Sequence, residues 1–272
     1  MKRSILKKLE GKKIFITGGS SGIGKALADL CIQNGAHVAI AARNDQNLNE
    51  AKVYLEGKVR DAEQKIFAFQ LDIRDSKKIF ACSKEVLEAL DGLDILINNA
   101  GISAPGLTSE VDEGKIRDVM ETNFFGSLNM TRSFLHHFNQ QKSGHISFVS
   151  SMLGFMGIYG HSVYSSSKFA LSGLVECLRQ ELKPINVEVS IAFLPNTDTP
   201  MLEHERASEP EITKNIGDTD RTYQPGEVAD IYLQEILKNK FHIVPGFETK
   251  LIYLAQRFFP SFLRFLSDRF LK

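Results

Sequence analysis

The sequence is poor in cysteine and carries no excess of charge. Its three cysteines, Cys31, Cys82 and Cys177, are far apart and form no C-x-x-C pair, which argues against a disulfide framework and a zinc site. Its 33 basic and 33 acidic residues cancel, so no global field favours nucleic acid as a partner. We therefore predict a reduced, cytoplasmic protein that binds no metal ion and no nucleic acid.

Long apolar runs are also lacking. No segment is long and uncharged enough to span a bilayer, and the basic residues near the start lack the apolar run of a secretory signal. The hydrophobic content of the 272 residues is nevertheless 43%, which is enough to build one sizeable core. These features predict a single domain.

Apolar segments of strand length alternate with longer helical patterns. The strand-like segments span 13–17, 37–41, 66–71, 93–97, 145–150, 187–193 and 241–244, and the helical patterns span 22–34, 44–57, 75–90, 116–138 and 165–183. This alternation predicts an α/β fold, a single Rossmann-type doubly wound domain with a mostly parallel seven-stranded sheet and helices on both faces. The domain covers residues 1–245, and its polar stretch 197–224 is interpreted as a mobile lid.

A glycine-rich turn joins the first predicted strand to the first predicted helix. Glycines let the backbone approach a pyrophosphate closely, and the helix N-terminus offers unpaired N–H groups to its charge. An ordinary tight turn is the alternative, but the position between first strand and first helix favours a nucleotide site. The residues expected to bind the cofactor here are Gly18, Ser20, Ser21, Gly22, Ile23 and Gly24.

The end of the second strand bears on the choice between NAD and NADP. Ala42 and Arg43 stand where an NAD-preferring protein usually carries an acidic residue for the adenosine ribose. Arg43, helped by Ser20 or Lys25, is suited to hold a 2'-phosphate through charge-assisted hydrogen bonds. A solvated surface arginine is the alternative. We predict NADP(H) as the cofactor.

Two further strand ends complete the predicted cofactor site. Asp72 and Ile73 follow the third strand and are expected to face the adenine, although a helix-capping role for Asp72 stays open. Asn99, Ala100 and Gly101 follow the fourth strand at the carboxyl edge of the sheet, where such folds bind ligands.

A tyrosine and a lysine stand four residues apart at the start of the helical pattern that follows the fifth strand. Tyr164 and Lys168 therefore share one helix face, and the positive charge is expected to lower the tyrosine pKa from its usual value of about 10. This spacing alone is common by chance. Ser151 at the end of the fifth strand and Asn123 in the preceding helical pattern make it specific.

Together these motifs resemble the short-chain dehydrogenase/reductase family, in order from Lys13 to about Met201. The resemblance implies an oxidoreductase that moves a hydride between the cofactor and a carbonyl or alcohol. It also implies a homodimer or homotetramer.

The resemblance assigns a role to each catalytic candidate. Tyr164 is the general acid/base, and Ser151 hydrogen-bonds the substrate oxygen. Lys168 binds the nicotinamide ribose and tunes Tyr164, while Asn123 supports a water that relays protons. Each residue also has a structural alternative: a turn cap for Ser151, a solvated helix position for Lys168 and satisfaction of backbone groups for Asn123.

The segment after the sixth strand departs from the family pattern. The usual Pro-Gly pair is absent, and the chain reads Pro195-Asn196-Thr197-Asp198-Thr199-Pro200. Pro195, Thr197 and Thr199 are still expected to contact the carboxamide, but the missing glycine leaves the backbone path open. The Thr-Asp-Thr-Pro string, with the glycine-rich turn and Ala-Arg-Asn, looks like the 3-ketodihydrosphingosine reductase branch. Members of that branch reduce the 3-oxo group of a long-chain sphingoid base with NADPH.

Apolar residues are expected on the substrate side of the site. They are Met152, Leu153, Tyr159, Leu194 and Met201, joined by Phe155, Met156 and Ile158, of which Phe155 and Met156 equally suit packing. Such a surface fits an alkyl chain or steroid better than a sugar. A lipid alcohol, retinoid or hydroxysteroid dehydrogenase therefore stays open. So does an NADP(H)-sensing or scaffold protein, although the intact catalytic residues speak against it.

The C-terminal tail, residues 246–272, is amphipathic. Leu251, Leu254 and Phe258 recur at helical spacing, as do Phe262 and Leu266 after Pro260. Helices of this kind can lie peripherally in a membrane interface. Docking onto the same subunit or onto a second subunit is the alternative.

Overall fold

The parallel sheet organises the molecule. The computed structural model describes residues 5–213 and 221–269, so parts of the predicted lid and tail lie outside the described residues. The strands are β1 Lys13–Thr17, β2 His37–Ala42, β3 Ile66–Gln70, β4 Ile95–Asn98, β5 Gly144–Ser151, β6 Val187–Leu194 and β7 His242–Ile243. They form one seven-stranded sheet in the order β3-β2-β1-β4-β5-β6-β7, with every neighbouring pair parallel. The predicted fold class is confirmed.

Helices cover both faces of the sheet. They are α1 Gly22–Gln33, α2 Asp45–Glu56, α3 Ser76–Leu90, α4 Glu113–Met120, α5 Ser127–Gln141, α6 Ser162–Leu182, α7 Pro200–Ser208, α8 Pro225–Ile236, α9 Phe247–Phe258 and α10 Pro260–Arg269. Side chains alternate across each strand, so Ile14 and Ile16 join the core beneath α1, α2 and α8. Phe15 joins the opposite core beneath α3, α5 and α6.

The helix predicted over residues 116–138 is interrupted. Between α4 and α5 the chain forms a π-helical turn, Glu121–Gly126. At Gly126 a Cβ would lie only 2.8 Å from the Ile73 side chain, so the two segments approach closely there. The wider turn brings Asn123 into the interior, as π turns at functional sites often do.

The segment predicted to be a lid is partly helical and anchored at both ends. It contains α7, whose Leu202 is buried. Its ends pair through Tyr223, whose N–H donates to the Asn196 carbonyl and whose carbonyl accepts from the Asp198 N–H, both at 2.9 Å. Residues 214–220 lie outside the described part of the chain. Movement of this segment stays a prediction.

A buried polar chain runs across the sheet into α8. His145 hydrogen-bonds Ser190 at 2.9 Å, Ser190 bonds Ser147 at 2.7 Å, and Ser147 bonds the Tyr232 hydroxyl at 2.6 Å. Burial lowers the pKa of His145 to about 4, although a hydrogen bond with Asn239 opposes this. The imidazole is therefore neutral in the folded protein at neutral pH.

We expect this histidine to make the fold acid-sensitive. The unfolded chain protonates His145 below about pH 6.5 and the folded chain only below about pH 4, so stability falls as the pH drops through that window. The difference amounts to about 3 kcal/mol. Urea denaturation across the window should show a shallower loss in His145→Gln than in wild type, while exposed His204→Gln follows wild type. Parallel pH profiles of His145→Gln and wild type would contradict this account.

Candidate active site

The candidate site is a cleft at the carboxyl edge of the sheet. It opens where the strand order reverses between β1 and β4, the position at which open α/β sheets bind ligands. The loops after β1, β2, β4, β5 and β6 all contribute to its lining. The cleft therefore gathers most of the residues predicted from separate motifs.

Close backbone contacts shape the glycine-rich turn. Gly18 has φ +68°, and a Cβ there would lie 2.9 Å from the Ala100 Cα. A Cβ on Gly24 would lie 2.2 Å from the Gly18 carbonyl oxygen. The six predicted turn residues, Gly18, Ser20, Ser21, Gly22, Ile23 and Gly24, all line the cleft. Ser21 precedes α1 and makes no side-chain capping bond within the described chain, which leaves first-turn N–H groups available to an anion.

Asn99 connects the end of β4 to this turn. Its amide Nδ2 donates to the carbonyls of Thr17 at 2.8 Å and Gly18 at 3.1 Å. The Thr17 hydroxyl in turn accepts from the backbone N–H groups of Asn99 and Ala100. Asn99, Ala100 and Gly101 line the cleft as predicted, and the Asn99 side chain fixes the shape of the glycine turn.

The end of β2 presents a cationic side chain to one end of the cleft. Arg43 is exposed and lines the cleft beside Ala42. Ser20 also lines the cleft. Within the described residues Arg43 forms no ion pair. Lys25, the other predicted helper, instead lies 4.4 Å from the ring centroid of Tyr54. Arg43 and Ser20 thus form the arrangement that suits a phosphate.

Asp72 differs from its predicted position. Its carboxylate accepts two charge-assisted bonds from the Arg74 guanidinium, at 2.7 and 3.0 Å, and a third from the Arg74 backbone N–H. These bonds hold the pKa of Asp72 below its usual value. The cleft is lined instead by its neighbours Leu71 and Ile73, because Arg74 draws the carboxylate away.

Three catalytic candidates meet in the centre of the cleft. Tyr164 and Lys168 lie buried on the same face of α6, and Ser151 ends β5. The Lys168 ammonium is 5.5 Å from the Tyr164 ring centroid and donates to the Val149 carbonyl at 3.0 Å. The Ser151 hydroxyl lies beside the phenol and favours its ionisation. All three residues line the cleft.

Burial dominates the electrostatics of this group. It raises the pKa of Tyr164 well above its usual value, the charge of Glu205 raises it further, and Ser151 opposes both. Burial also lowers the pKa of Lys168 to about 8, against the influence of Glu205. The expected lowering of the tyrosine pKa by Lys168 is therefore not seen in the free protein, where desolvation raises that pKa.

The Asn123 side chain bonds the Ile102 backbone and the Ser167 side chain. Its Oδ1 accepts from the Ile102 N–H at 2.8 Å, and its Nδ2 donates to the Ile102 carbonyl and the Ser167 hydroxyl, both at 2.9 Å. It lies outside the cleft lining. A Cβ on Gly101 would be 3.2 Å from its Oδ1 and 3.4 Å from the Lys168 Nζ, so both side chains approach Gly101. Support of a water there stays a prediction.

The loop after β6 needs no glycine. Asn196 does not adopt the left-handed conformation, and its pairing with Tyr223 holds the chain extended. Pro195, Thr197 and Thr199 all line the cleft. The Thr199 hydroxyl accepts from the Leu202 N–H at 3.3 Å and caps α7. The departure from the family pattern thus leaves the predicted residues in the site.

The opposite wall of the cleft is largely apolar. It contains Met152, Leu153, Ile158, Leu194 and Met201. The predicted residue Tyr159 lies outside the lining, and its carbonyl accepts from the Thr213 hydroxyl at 2.9 Å. Phe155 turns to the back of this wall, where it packs against Phe193 and Tyr253. Successive residues of the irregular 155–159 segment thus point to different sides.

Sequence reasoning missed an acidic feature of the same cleft. Glu205 and Glu209 of the α7 region line it, together with His161. Apart from Thr197, Thr199 and Met201, the sequence indicates only a lid for segment 197–224, which gives its charged residues no role. Met201, Glu205 and Glu209 recur every four residues and share a face with Leu202. That spacing was the signal available in the sequence.

A family profile described as short chain dehydrogenase matches residues 12–210. The chain belongs to the short-chain dehydrogenase/reductase family. It is therefore an oxidoreductase that acts on CH–OH and C=O groups with a nicotinamide cofactor. The predicted family and enzyme class are confirmed.

Several relatives of this short-chain dehydrogenase/reductase bear on its branch. The 3-dehydrosphinganine reductase of Danio rerio is 37% identical over 235 residues, covering 86% of this chain and 71% of the relative. The 3-ketodihydrosphingosine reductase of Dictyostelium discoideum is 36% identical over 258 residues, covering 90% of this chain and 77% of the relative. The resemblance to that branch is confirmed.

Solved structures agree on the fold. A short chain dehydrogenase/reductase from Burkholderia phymatum in complex with NAD has a TM-score of 0.80 at 23% identity, covering 91% of this chain and 92% of that one. Levodione reductase has a TM-score of 0.78 at 20% identity, covering 87% and 96%.

Proposed function

We propose that this protein uses NADPH to reduce the 3-keto group of a long-chain sphingoid base. The observation that carries the proposal is a single cleft in which Ser151, Tyr164 and Lys168 face an apolar wall. An alkyl chain fits such a wall better than a sugar does. The names of the relatives, which are reductases of this class of ketone, support the same substrate.

The cleft residues fit a bound NADPH. The crowded glycine turn and the N-terminus of α1 suit the diphosphate, and Arg43 suits the 2'-phosphate. Lys168 suits the nicotinamide ribose, while Thr197 and Thr199 suit the carboxamide. When bound, the cofactor supplies the hydride that reduces the ketone.

Tyr164 and Ser151 are suited to stabilise the negative charge that forms on the substrate oxygen. Tyr164 and Ser151 donate hydrogen bonds to the oxygen as it gains negative charge, and Tyr164 then transfers its proton to it. Because its raised pKa keeps the phenol protonated, Tyr164 begins the reaction as an acid, as reduction requires. The Lys168 ammonium stabilises the phenolate that results.

Oxidation of NADPH with a panel of ketones and one aldehyde, retinal, tests the proposal. We expect long-chain 3-ketosphinganine to give a higher kcat/KM than retinal or a 3-ketosteroid. A preference for retinal or the steroid would favour the alternative that the cleft serves a retinoid or hydroxysteroid. Tight NADPH binding with no turnover of any ketone would favour a cofactor-sensing or scaffold protein.

We propose further that α9 and α10 lie at a membrane surface. Large apolar side chains stand exposed on these two helices: Phe247, Leu251, Leu254, Phe258, Phe259, Phe262 and Phe265. Arg257, Arg264 and Arg269 lie among them and suit anionic headgroups. Tyr253 anchors α9 to Phe155, directly behind the apolar wall of the cleft. No helix in the described residues is long and apolar enough to cross a bilayer.

Replacing exposed tail residues should release the protein from membranes. Leu254→Ser with Phe258→Ser and Phe262→Ser removes three side chains that contribute about 1.5–3 kcal/mol each when buried, so flotation with anionic liposomes should be lost. The double variant Val53→Ser and Phe80→Ser, exposed elsewhere, should float like wild type. If the tail instead joins two subunits, the triple variant will change the sedimentation mass, and wild type will not float.

A further inference from the structure

A carboxylate lies in the wall of the cleft beside the catalytic group. Glu205 projects from α7 into the lining shared with Tyr164 and Lys168. Its charge is near enough to raise the pKa of Tyr164 and to oppose the lowering of the Lys168 pKa. The remaining groups that act on it are His161, Glu209 and Ser103. Glu205 is thus an acidic side chain beside the catalytic group, on a wall that also carries apolar residues.

No cation within the described residues forms an ion pair with Glu205. The nearby Lys168 ammonium is engaged elsewhere, because it donates a hydrogen bond to the Val149 carbonyl at 3.0 Å. The Nε2 of His161 contacts the Glu209 carboxylate, also at 3.0 Å. Ser103 favours the charged form of Glu205, although its hydroxyl forms no hydrogen bond of ordinary geometry with the described chain. Burial therefore raises the pKa of Glu205, and a buried carboxylate in this state is costly until a cation reaches it.

A second polar group on the same wall also lacks a partner. His161 is only 4% exposed and lines the cleft. Its Nδ1 has no hydrogen-bond partner among the described residues, although Nε2 is engaged by Glu209. A buried ring nitrogen without a partner is uncommon. Together with Glu205, it indicates that this end of the cleft is built for a polar, cationic part of a ligand.

We propose that Glu205 binds the ammonium group that the substrate carries next to its reacting ketone. This inference rests on the proposed function, because a 3-keto sphingoid base bears an amine on carbon 2 and a hydroxyl on carbon 1. With the ketone oxygen at Tyr164 and Ser151, the amine is one carbon away from the reacting atom. Glu205 lines the cleft with both residues, whereas Glu209 is already engaged by His161. The Nδ1 of His161, which has no partner among the described residues, suits the terminal hydroxyl.

The bound ammonium also changes the task of Tyr164. A free Glu205 carboxylate opposes loss of the tyrosine proton, because it places a second negative charge beside the forming phenolate. An ammonium on Glu205 neutralises that charge. The amine therefore contributes to turnover as well as to binding, and an otherwise identical ketone without the amine lacks both contributions.

Binding of a product analogue tests the site apart from turnover. The probe is a short-chain, water-soluble sphinganine, a 2-amino-1,3-diol, titrated by calorimetry into the NADP-loaded protein; its control is the same 1,3-diol without the amine. Glu205→Gln should weaken binding of the amine by about 30-fold, as expected for loss of a charge-assisted bond, and should leave the diol unchanged. Glu203→Gln removes the same charge from the exposed face of α7 and should bind both probes like wild type.

A parallel assay of NADPH oxidation with 3-ketosphinganine separates the two proposals. If the amine binds through Glu205 but the aminoketone is not reduced, the proposed function fails and the ammonium site stands. If the aminoketone is reduced, yet Glu205→Gln binds the amine as wild type does, the ammonium site is overturned and the function stands. Equal weakening of amine and diol binding would also overturn it, since it would indicate a structural effect of the substitution.

Discussion

Tyr164→Phe should lower kcat for ketone reduction by about 10³-fold, since it removes the proton donor but keeps the ring. The Kd for NADPH should stay within about threefold of wild type, because the substitution removes no group with a bond to the cofactor turn. The ring fills the same buried position in both proteins, so the fold is retained. The expected signature is a cofactor-loaded protein that does not turn over.

Steady-state kinetics and the quenching of NADPH fluorescence measure these two quantities independently. Tyr54→Phe is the matched control, because its phenol bonds Asp29 outside the cleft, and we expect it to retain wild-type kcat. Near-normal turnover by Tyr164→Phe would remove Tyr164 from its role as the acid.

Ala42→Asp should reverse the cofactor preference. The new carboxylate stands beside Arg43 at the end of β2, where it repels a 2'-phosphate and accepts bonds from an unmodified ribose. Loss of the charge-assisted bonds together with this repulsion should lower the NADPH/NADH ratio of kcat/KM by about 100-fold or more.

The ratio is measured with both cofactors at a fixed ketone concentration. Arg43→Ala should weaken NADPH use alone, while Arg60→Ala, whose guanidinium bonds the Gln33 carbonyl on the surface, should not alter the ratio. Equal efficiency with the two cofactors in wild type would show that Arg43 is a solvated surface residue.

The sheet was predictable because a buried parallel strand is marked by its own short apolar run. All seven strands begin and end within two residues of the predicted positions. The glycine turn was predictable for a related reason. Only glycine tolerates the approach of Gly18 to Ala100, so the close contact requires a glycine that is visible in the sequence.

Features decided by tertiary partners were less accessible. The π turn at Asn123 leaves the apolar pattern of residues 116–138 intact, so that pattern predicts one continuous helix. Asp72 is held by Arg74 and Arg74 by Asp118, 44 positions along the chain. Glu205 lies near Tyr164 because hydrogen bonds between Tyr223 and the loop after β6 hold the two ends of segment 197–224 together.

The pKa of Tyr164 was not predictable from sequence either. The four-residue spacing of Tyr164 and Lys168 indicates that the ammonium favours the phenolate, but it does not indicate how deeply the two side chains are buried. Both groups are buried, and burial is the larger influence on each of them.

Thr199 joins the two halves of the cleft. A Cβ on Gly22 would lie 3.0 Å from its methyl group, so the threonine packs against the turn that suits the diphosphate. Its hydroxyl caps α7, the helix that carries Met201 and Glu205. Cofactor bound at the glycine turn therefore also orders α7, and ketone bound against α7 also orders the turn. By thermodynamic reciprocity, each ligand raises the affinity for the other by the same factor. We expect the two substrates to bind with positive cooperativity within one subunit.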